Sequence, residues 1–163
     1  IGKPGTGKTH LAQAFGRACC EHGMKAYFIK MTELRDRMTD ARRAGRESTL
    51  LAALVRPSCL IIDEVGHCEF DKENTRLFFD MVDRRYQKDG YYNMVFTSNR
   101  DPAQWQENFC ENDSLLCALD RIFDDAIVFS IKGESFRGRR LETVSLRSSA
   151  APPATAHSQK SGI

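Results

Sequence analysis

The amino-acid sequence begins with a glycine-rich segment whose spacing is typical of a phosphate-binding loop. Residues 2–9 read GKPGTGKT and match the pattern G-x-x-x-x-G-K-[ST]. In that pattern the glycines let backbone N–H groups turn toward phosphate oxygens, the lysine reaches the β- and γ-phosphates, and the final hydroxyl binds Mg²⁺. A surface glycine-rich turn is the minority interpretation, because so many fixed positions seldom match by chance. Nucleotide contacts are therefore predicted along the whole loop: Gly2, Lys3, Pro4, Gly5, Thr6, Gly7, Lys8 and Thr9.

Two adjacent carboxylates follow a run of apolar residues. Residues 59–62 are continuously apolar, as expected for a strand buried on both faces, and Asp63 and Glu64 come directly after them. Ligands gather at the carboxyl ends of strands in an open parallel sheet, so Asp63 is placed to hold Mg²⁺ and Glu64 to activate the water that attacks the γ-phosphate. Taken alone, the pair could be a solvated strand end. The phosphate loop upstream favours the catalytic interpretation.

Two further polar residues are candidates for the same site. Asn99 follows the strand predicted at residues 94–97, where it could orient the attacking water or sense the γ-phosphate; a simple turn is the alternative. Arg121 lies near the end of a helix predicted at residues 115–123. It is either an arginine finger that reaches a neighbouring subunit's nucleotide or half of a helical salt bridge with Asp125. The sequence leaves these two interpretations of Arg121 nearly even.

The elements that must position these residues alternate between helix and strand. This order predicts an α/β fold of the P-loop NTPase type, a parallel sheet flanked by helices. We predict helix caps at Thr32 and Asp71 and a capping-box-like start at Asp101, Pro102 and Gln104. The strands are predicted at residues 26–29, 59–62, 94–97 and 126–129. The apolar stripe of the first helix is predicted to comprise Leu11, Ala14, Phe15, Ala18 and Cys19.

A phosphate loop also needs a strand that feeds into it from inside the sheet. Only Ile1 precedes the loop, so we expect the first core strand to be missing and the isolated 163 residues to fold poorly. A cooperative two-state melt would contradict that expectation. We assign residues 1–147 to one N-terminally truncated domain. Residues 148–163, rich in Ser, Ala and Pro, form a tail predicted to be disordered.

Composition narrows the class of protein only slightly. The net charge of +2 argues neither for nor against nucleic acid, and no signal peptide or membrane-spanning run occurs. We therefore expect a cytoplasmic protein. The six cysteines include no C-x-x-C pair, and we expect most of them to be small buried hydrophobes with reduced thiols. A zinc site is disfavoured because its candidate ligands lack paired spacing: His67, Cys68, Cys110 and Cys117.

The sequence resembles AAA+ ATPases, and specifically the IstB-like ATP-binding proteins, which help insertion sequences transpose and are related to DnaC helicase loaders. The resemblance runs from Ile1 to about Leu146. It rests on the stretches GKPGTGKTHLA, LIIDEVG, FDKENTRLFFDMVDRRYQK, FTSNRDPAQW, LDRIFDDAIVF and KGESFRGRRLETVSL. The first two are widespread in AAA+ proteins, whereas the later ones are much more specific to this family.

The resemblance implies a role for each matching residue. It also implies ATP and Mg²⁺ as ligands, nucleotide-dependent homo-oligomers, binding of double-stranded DNA, and presentation of that DNA to a partner transposase. The residue roles implied are Walker A for Lys8 and Thr9, Walker B for Asp63 and Glu64, sensor 1 for Asn99, arginine finger for Arg121, and a sensor 2-type arginine for Arg137.

DNA contacts and the identity of the partner are open at this point. Arg139 and Arg140 are the better candidates for phosphate contacts, with a solvated surface as an equal alternative. Arg84 and Arg85, with Lys88, form a further candidate basic face. A DnaC-like replicative helicase loader would use the same ATP chemistry with a helicase as partner. A small-metabolite kinase would need an acceptor pocket that the sequence does not reveal. An inactive truncated remnant is the fourth alternative.

Overall fold

The computed structural model describes residues 1–90, 92–110, 119–124 and 126–136. Its centre is a three-stranded parallel sheet in the order β1-β2-β3, which confirms the predicted α/β class. The strands are β1 (Ala26–Lys30), β2 (Cys59–Asp63) and β3 (Asn93–Phe96). The helices are α1 (Lys8–Glu21), α2 (Met31–Arg43), α3 (Glu47–Val55) and α4 (Lys72–Tyr86), followed by a 3₁₀ helix at Pro102–Asn108.

Strand β2 lies in the middle of the sheet, and all five of its residues are buried. Its side chains alternate between two hydrophobic clusters, as the period of a strand requires. Leu60 and Ile62 pack with α2, α3 and α4 on one face, and Cys59 and Ile61 pack with α1 on the other. Helices on both faces explain why the predicted run of apolar residues does not alternate with polar ones.

The face that α1 turns to the sheet differs from the predicted stripe. Ala12, Gly16 and Cys19 are the buried positions, whereas Leu11 is 55% exposed and Phe15 is 44% exposed. Of the predicted stripe, Cys19 alone is buried. The reason is a close approach, because a Cβ on Gly16 would lie 2.7 Å from Cδ1 of Ile61. The helix therefore packs through its small residues, which a search for large apolar side chains does not find.

Two of the three predicted helix starts are confirmed. The Asp71 carboxylate accepts a hydrogen bond from the Asn74 N–H at 2.7 Å and caps α4. Asp101 and Gln104 make the reciprocal bonds of a capping box, although the helix that follows is 3₁₀ rather than α. The cap predicted at Thr32 is wrong: α2 already begins at Met31, and Lys30 holds the cap position without a side-chain bond.

The strand predicted at residues 126–129 is also not formed. In the described part of the chain this segment pairs with no strand, and Ile127, Val128 and Phe129 are 81%, 54% and 65% exposed. A strand needs a neighbouring strand that hydrogen-bonds along its length. Next to this segment the structure has only an isolated parallel bridge between Gly2 and Ile131 among the described residues. The tail predicted at residues 148–163 lies outside the described residues. Among those that are described, no helix is long and apolar enough to span a bilayer.

Candidate functional site

A cleft of about 420 Å³ lies where the carboxyl ends of β2 and β3 face the start of α1. It brings together the phosphate loop and the polar residues predicted at two strand ends. His10, Gln13, His67, Thr97 and Ser98 also line it, and none of these had been predicted as a site residue. The lining residues that had been predicted are Pro4, Gly5, Gly7, Lys8, Thr9, Glu64 and Asn99.

The phosphate loop has a backbone conformation that suits an anion. Gly5 and Gly7 have φ values of 79° and 90°, in the left-handed region that favours glycine. Gly7 holds the cap position of α1 and has no side chain to cap the helix, and the first turn of α1 contains no carboxylate. The first N–H groups of a helix need acceptors and carry partial positive charge, so the start of α1 can accept phosphate oxygens.

The Lys8 ammonium group crosses the loop from the helix side. It donates to the carbonyl oxygens of Gly2 at 2.6 Å and Lys3 at 2.7 Å. The Thr6 hydroxyl donates to the same Lys3 oxygen at 2.8 Å. The loop is therefore folded around the positive charge of Lys8, which lies among the residues that line the cleft.

The predicted metal ligands are in direct contact. The Thr9 hydroxyl donates to Oδ1 of Asp63 at 2.9 Å, and Asp63 is 1% exposed. The Thr97 hydroxyl donates to the same Oδ1 at 2.5 Å. Hydroxyl and carboxylate oxygens are the hard ligands that Mg²⁺ prefers, and such sites need only one or two protein groups because the nucleotide and water supply the rest. Thr9 and Asp63 therefore fit a Mg²⁺–nucleotide site.

Glu64 has a backbone conformation that is uncommon for a residue with a side chain. Its φ is 62°, and it is the one non-glycine residue with positive φ among those the structure describes. Thr97 holds this turn on two sides: its hydroxyl accepts from the Glu64 N–H at 3.1 Å, and its carbonyl accepts from the Val65 N–H at 2.8 Å. The Glu64 carboxylate lies 3.2 Å from the Lys30 ammonium at the end of β1. Strain of this kind is concentrated at functional sites.

Asn99 lies across the cleft from the loop after β2. The imidazole of His67 is hydrogen-bonded through Nε2 to Oδ1 of Asn99 at 2.8 Å, and both residues line the cleft. Sequence reasoning missed Lys30 and Thr97, although both are polar residues at or beside strand ends and the same rule could have found them. The sequence gave no indication of a role for His67 in this cleft other than its position three residues after Glu64.

The predicted arginines have different environments. Arg121 lies in the helical residues 119–123, outside the lining of the cleft, and forms an ion pair with Asp83 of α4 at 3.1 Å. Arg84 is exposed and paired with Asp80 at 2.6 Å. Arg85 is 2% exposed, which contradicts its predicted role in DNA contact. Arg137, Arg139 and Arg140, together with Asp125, lie outside the described residues.

The burial of Arg85 has a structural explanation. Its guanidinium donates to the backbone carbonyls of Leu54, Val55 and Pro57, in and just after α3, and to that of Asn93 in β3. Burial lowers the pKa of the Arg85 guanidinium, because the charged form has lost its water. Arg85 therefore ties together the ends of three elements and is not available to a ligand at the surface.

Comparison with known proteins points to one family. The IstB-like ATP binding protein family matches residues 1–143. The chain is 34% identical over 139 residues to the ATP-binding protein of insertion sequence IS5376 from Geobacillus stearothermophilus, covering 85% of this chain and 54% of that protein. It is 34% identical over 137 residues to the ATP-binding protein of insertion sequence IS21 from Pseudomonas aeruginosa, covering 84% and 51%. The chain thus spans about half the length of these curated relatives.

Helicase loaders and replication initiators are similar as well. The replicative helicase loader DnaC of Escherichia coli K12 is 33% identical over 102 residues, covering 61% of this chain and 42% of the loader. A crystal structure of the DnaC helicase loader matches with a TM-score of 0.66 at 21% identity, covering 80% of this chain and 75% of that one. AMPPCP-bound DnaA from Aquifex aeolicus matches with a TM-score of 0.67 at 21% identity, covering 81% and 39%. The fold is that of AAA+ P-loop domains, and the chain belongs to the family of IstB-like ATP-binding proteins.

Proposed function

We propose that this protein is an ATP-hydrolysing, DNA-binding helper of a transposase. The observation that carries the proposal is the hydrogen bond from Thr9 to the buried Asp63, which joins the phosphate loop to the end of β2. Thr9 lines the cleft. The same cleft is lined by Glu64 and Asn99, and the family is one of insertion-sequence ATP-binding proteins. The reaction proposed is hydrolysis of ATP to ADP and phosphate.

Four residues that line the cleft, and the buried Asp63, have proposed tasks in that reaction. The Lys8 ammonium would contact the β- and γ-phosphates, and Thr9 and Asp63 would hold Mg²⁺, which supplies positive charge against the phosphates. Glu64 would accept the proton of the attacking water, and Asn99 would orient that water or contact the γ-phosphate. Positioned charge of this kind is the main source of catalysis in phosphoryl transfer.

Arg121 is proposed to act in a neighbouring copy of the chain within a homo-oligomer. A residue that completes a neighbour's site need not line its own cleft, which agrees with its position. Its exposed fraction is 37% for the side chain, so its ion pair with Asp83 is weak enough to exchange for a phosphate. Arg137 is proposed to contact the nucleotide as a sensor 2-type residue.

Double-stranded DNA and a transposase are the proposed partners. The proposal rests on the relatives named as insertion-sequence ATP-binding proteins. Arg84, whose side chain is 53% exposed, and the pair Arg139 and Arg140 are the candidate phosphate contacts. Contacts to phosphates would make the affinity fall steeply with salt and depend little on the DNA sequence. The protein would work in the cytoplasm.

Nucleotide binding and hydrolysis are tested with variants of the longest protein that contains these 163 residues. Lys8→Ala should abolish binding of a fluorescent ATP analogue, whereas Lys25→Ala, at the opposite end of β1 from the cleft, should leave it unchanged. Glu64→Gln should keep binding and stop phosphate release. The matched control Glu69→Gln, an exposed position, should hydrolyse ATP like the wild type. If Glu64→Gln hydrolysed ATP at the wild-type rate, Glu64 would not be the general base.

Action of Arg121 in a neighbouring subunit is tested by mixing variants. Arg121→Ala should lower hydrolysis while the nucleotide stays bound. Glu64→Gln supplies an intact arginine but cannot activate water, and Arg121→Ala has the opposite defect. A mixture of the two inactive proteins should recover part of the activity if the arginine acts across an interface. Absence of any recovery would place Arg121 outside the proposed shared site.

DNA binding is tested by fluorescence anisotropy of a labelled duplex with ATP, with ADP and without nucleotide. Tight, salt-sensitive binding only with ATP supports the transposition helper, and salt-independent affinity would refute phosphate contacts. The second candidate is a helicase loader, which the 33% identity to DnaC over 102 residues favours. Failure to bind duplex DNA in the presence of bound ATP would support the loader.

A further inference from the structure

We propose that His67 is a positioning residue, which holds the Asn99 amide so that its NH₂ group is presented to the γ-phosphate. The contact that carries the inference is the 2.8 Å hydrogen bond between Nε2 of His67 and Oδ1 of Asn99 at the mouth of the cleft. The inference rests on the proposed nucleotide site, and it adds a residue that the family assignment does not supply.

The direction of the hydrogen bond follows from the chemistry of the two groups. An amide oxygen only accepts, so Nε2 of the imidazole carries the hydrogen that is donated. The oxygen and nitrogen of a planar amide point apart, so fixing Oδ1 on His67 turns Nδ2 of Asn99 away from that ring. Both residues line the same cleft as Lys8 and Glu64. A phosphate oxygen, which only accepts, would need this NH₂ group as its donor.

The two loops do not need this bond to stay together. The Val65 N–H donates to the Thr97 carbonyl at 2.8 Å. The hydroxyl of Ser98, a residue that is 1% exposed, donates to the Val65 carbonyl at 2.7 Å. These bonds fix the backbones of both loops in the interior. His67 and Asn99 are exposed and lie further out. Their hydrogen bond therefore decides the orientation of a side chain rather than the path of the backbone.

The backbone before His67 is shaped to bring the imidazole to this position. Gly66 has a φ of 90°, and a Cβ there would lie 3.1 Å from Cδ of Arg100. A residue with a side chain would be strained in this conformation and would crowd the loop that carries Asn99. Glycine at this position thus allows the loop after β2 to turn and place His67 beside Asn99.

The test is a comparison of His67→Phe with His67→Gln. Phenylalanine keeps the planar ring but has no donor, whereas glutamine has an NH₂ group that can restore the bond. Without the bond, Asn99 is released to about three side-chain rotamers, so kcat for ATP hydrolysis by His67→Phe should fall about three- to ten-fold. Because the contact that is lost is to the γ-phosphate, KM for ATP should rise as well. His67→Gln, which can restore the bond, should stay within about two-fold of the wild type in both kcat and KM.

A double-mutant cycle separates positioning from a general structural effect. If His67 acts through Asn99, then His67→Phe should have no further effect on kcat once Asn99→Ala is present. If the two losses multiply instead, the inference is overturned. It is also overturned if His67→Phe hydrolyses ATP as fast as the wild type does. Because both side chains are exposed, the melting temperature of each variant should match that of the wild type.

Failure of the proposed function is distinguishable from failure of this inference. If the wild type hydrolyses no ATP, equilibrium affinities for AMP-PCP and for ADP still test the role of His67. Only AMP-PCP has a γ-phosphate, so His67→Phe should weaken AMP-PCP about three- to ten-fold and leave ADP unchanged. Equal changes for both nucleotides, or a change for neither, would overturn the positioning role.

Discussion

Arg84 and Arg85 are adjacent in α4, but the first is exposed and the second is buried. Replacing each by alanine should therefore affect the free energy of unfolding very differently. The Arg84 side chain is 53% exposed and bonded to Asp80 one turn away. Arg85 is 2% exposed, and its two terminal nitrogens donate to backbone carbonyls at distances between 2.9 and 3.2 Å. We expect Arg85→Ala to destabilise the fold strongly and Arg84→Ala to leave its stability unchanged.

The size of the effect follows from the bonds that are lost. Four carbonyl oxygens would lose a charged donor: those of Leu54, Val55, Pro57 and Asn93. Hydrogen bonds to charged groups contribute about 1.5–3 kcal/mol each, but water can enter the space left by a truncated side chain and recover part of this. At about 1 kcal/mol for each bond, Arg85→Ala should lower the free energy of unfolding by about 4 kcal/mol.

The assay is urea denaturation followed by far-UV circular dichroism. Arg85→Lys should lie between wild type and Arg85→Ala, because an ammonium group cannot reproduce the fork that spans α3 and β3. In the duplex-DNA assay, Arg84→Ala should weaken binding and reduce its salt dependence, whereas folded Arg85→Lys should bind like the wild type. An unfolding midpoint for Arg85→Ala equal to that of the wild type would refute the structural role given to Arg85.

Three further predictions concern side chains that the structure places at capping, hydrogen-bonding and buried positions. Asp71→Ala should lower the free energy of unfolding by about 1 kcal/mol at neutral pH, because the N-cap of α4 is lost, while Asp71→Asn keeps the cap. The Asn74 N–H lowers the pKa of Asp71, so the native contribution is present above about pH 4 and fades as the pH falls through the lowered pKa; the difference between wild type and Asp71→Ala should shrink in acid denaturation curves. Thr97→Val removes a donor to the buried carboxylate at the end of β2 and should cost about 2–3 kcal/mol in the same assay, with Thr97→Ser close to wild type. Burial raises the pKa of Cys59 to about 12, so iodoacetamide should modify exposed Cys20 and spare Cys59 in native protein, as mass spectrometry can measure; labelling of Cys59 at the rate of Cys20 would contradict this burial.

The central strand of the sheet was predictable from its burial, whereas β1 and β3 are only partly buried. The continuous apolar run before Asp63 matches β2, the central strand, which has helices on both faces. The contact face of α1 was not predictable in the same way. Gly16 and Ala12 lie against the sheet because they are small, and Leu11 and Phe15 remain at the surface. Which face of a helix meets a sheet depends on the shape of the partner, here Ile61, and not on hydrophobicity alone.

The segment at residues 126–129 illustrates a second limit. Its residues, Ala, Ile, Val and Phe, have the composition of a strand, yet the structure places them in no strand and exposes their side chains. Their backbone contact to the start of the chain is a hydrogen bond from the Ile1 nitrogen to the Phe129 carbonyl at 2.7 Å. A strand forms only when a second segment hydrogen-bonds to it, so the composition of one segment meets only half of the requirement. For the same reason, the composition of Ile127, Val128 and Phe129 cannot reveal whether they are paired.

The candidate site was predictable where chemistry restricts the residue type and not where geometry alone matters. Asp63 and Glu64 were identified because few residues can bind a cation or accept a proton. Thr97 was predicted only as the last residue of a strand, and Ser98 was not identified as a site residue. Their burial, 5% and 1% exposed, gives them a different role, because a buried hydroxyl must find partners.

Those partners are the groups that the proposed reaction would need in fixed positions. One Thr97 hydroxyl donates to the Asp63 carboxylate and accepts from the Glu64 N–H, so a single small side chain sets both the proposed metal ligand and the turn that carries the proposed base. The Ser98 hydroxyl donates a hydrogen bond to the carbonyl of Val65, the residue that follows Glu64. Each of these bonds joins the end of β3 to the end of β2, and the register of the two strands places them opposite one another. The precision of the site thus comes from residues with little chemical identity of their own, which become recognisable only after the sheet has brought them together.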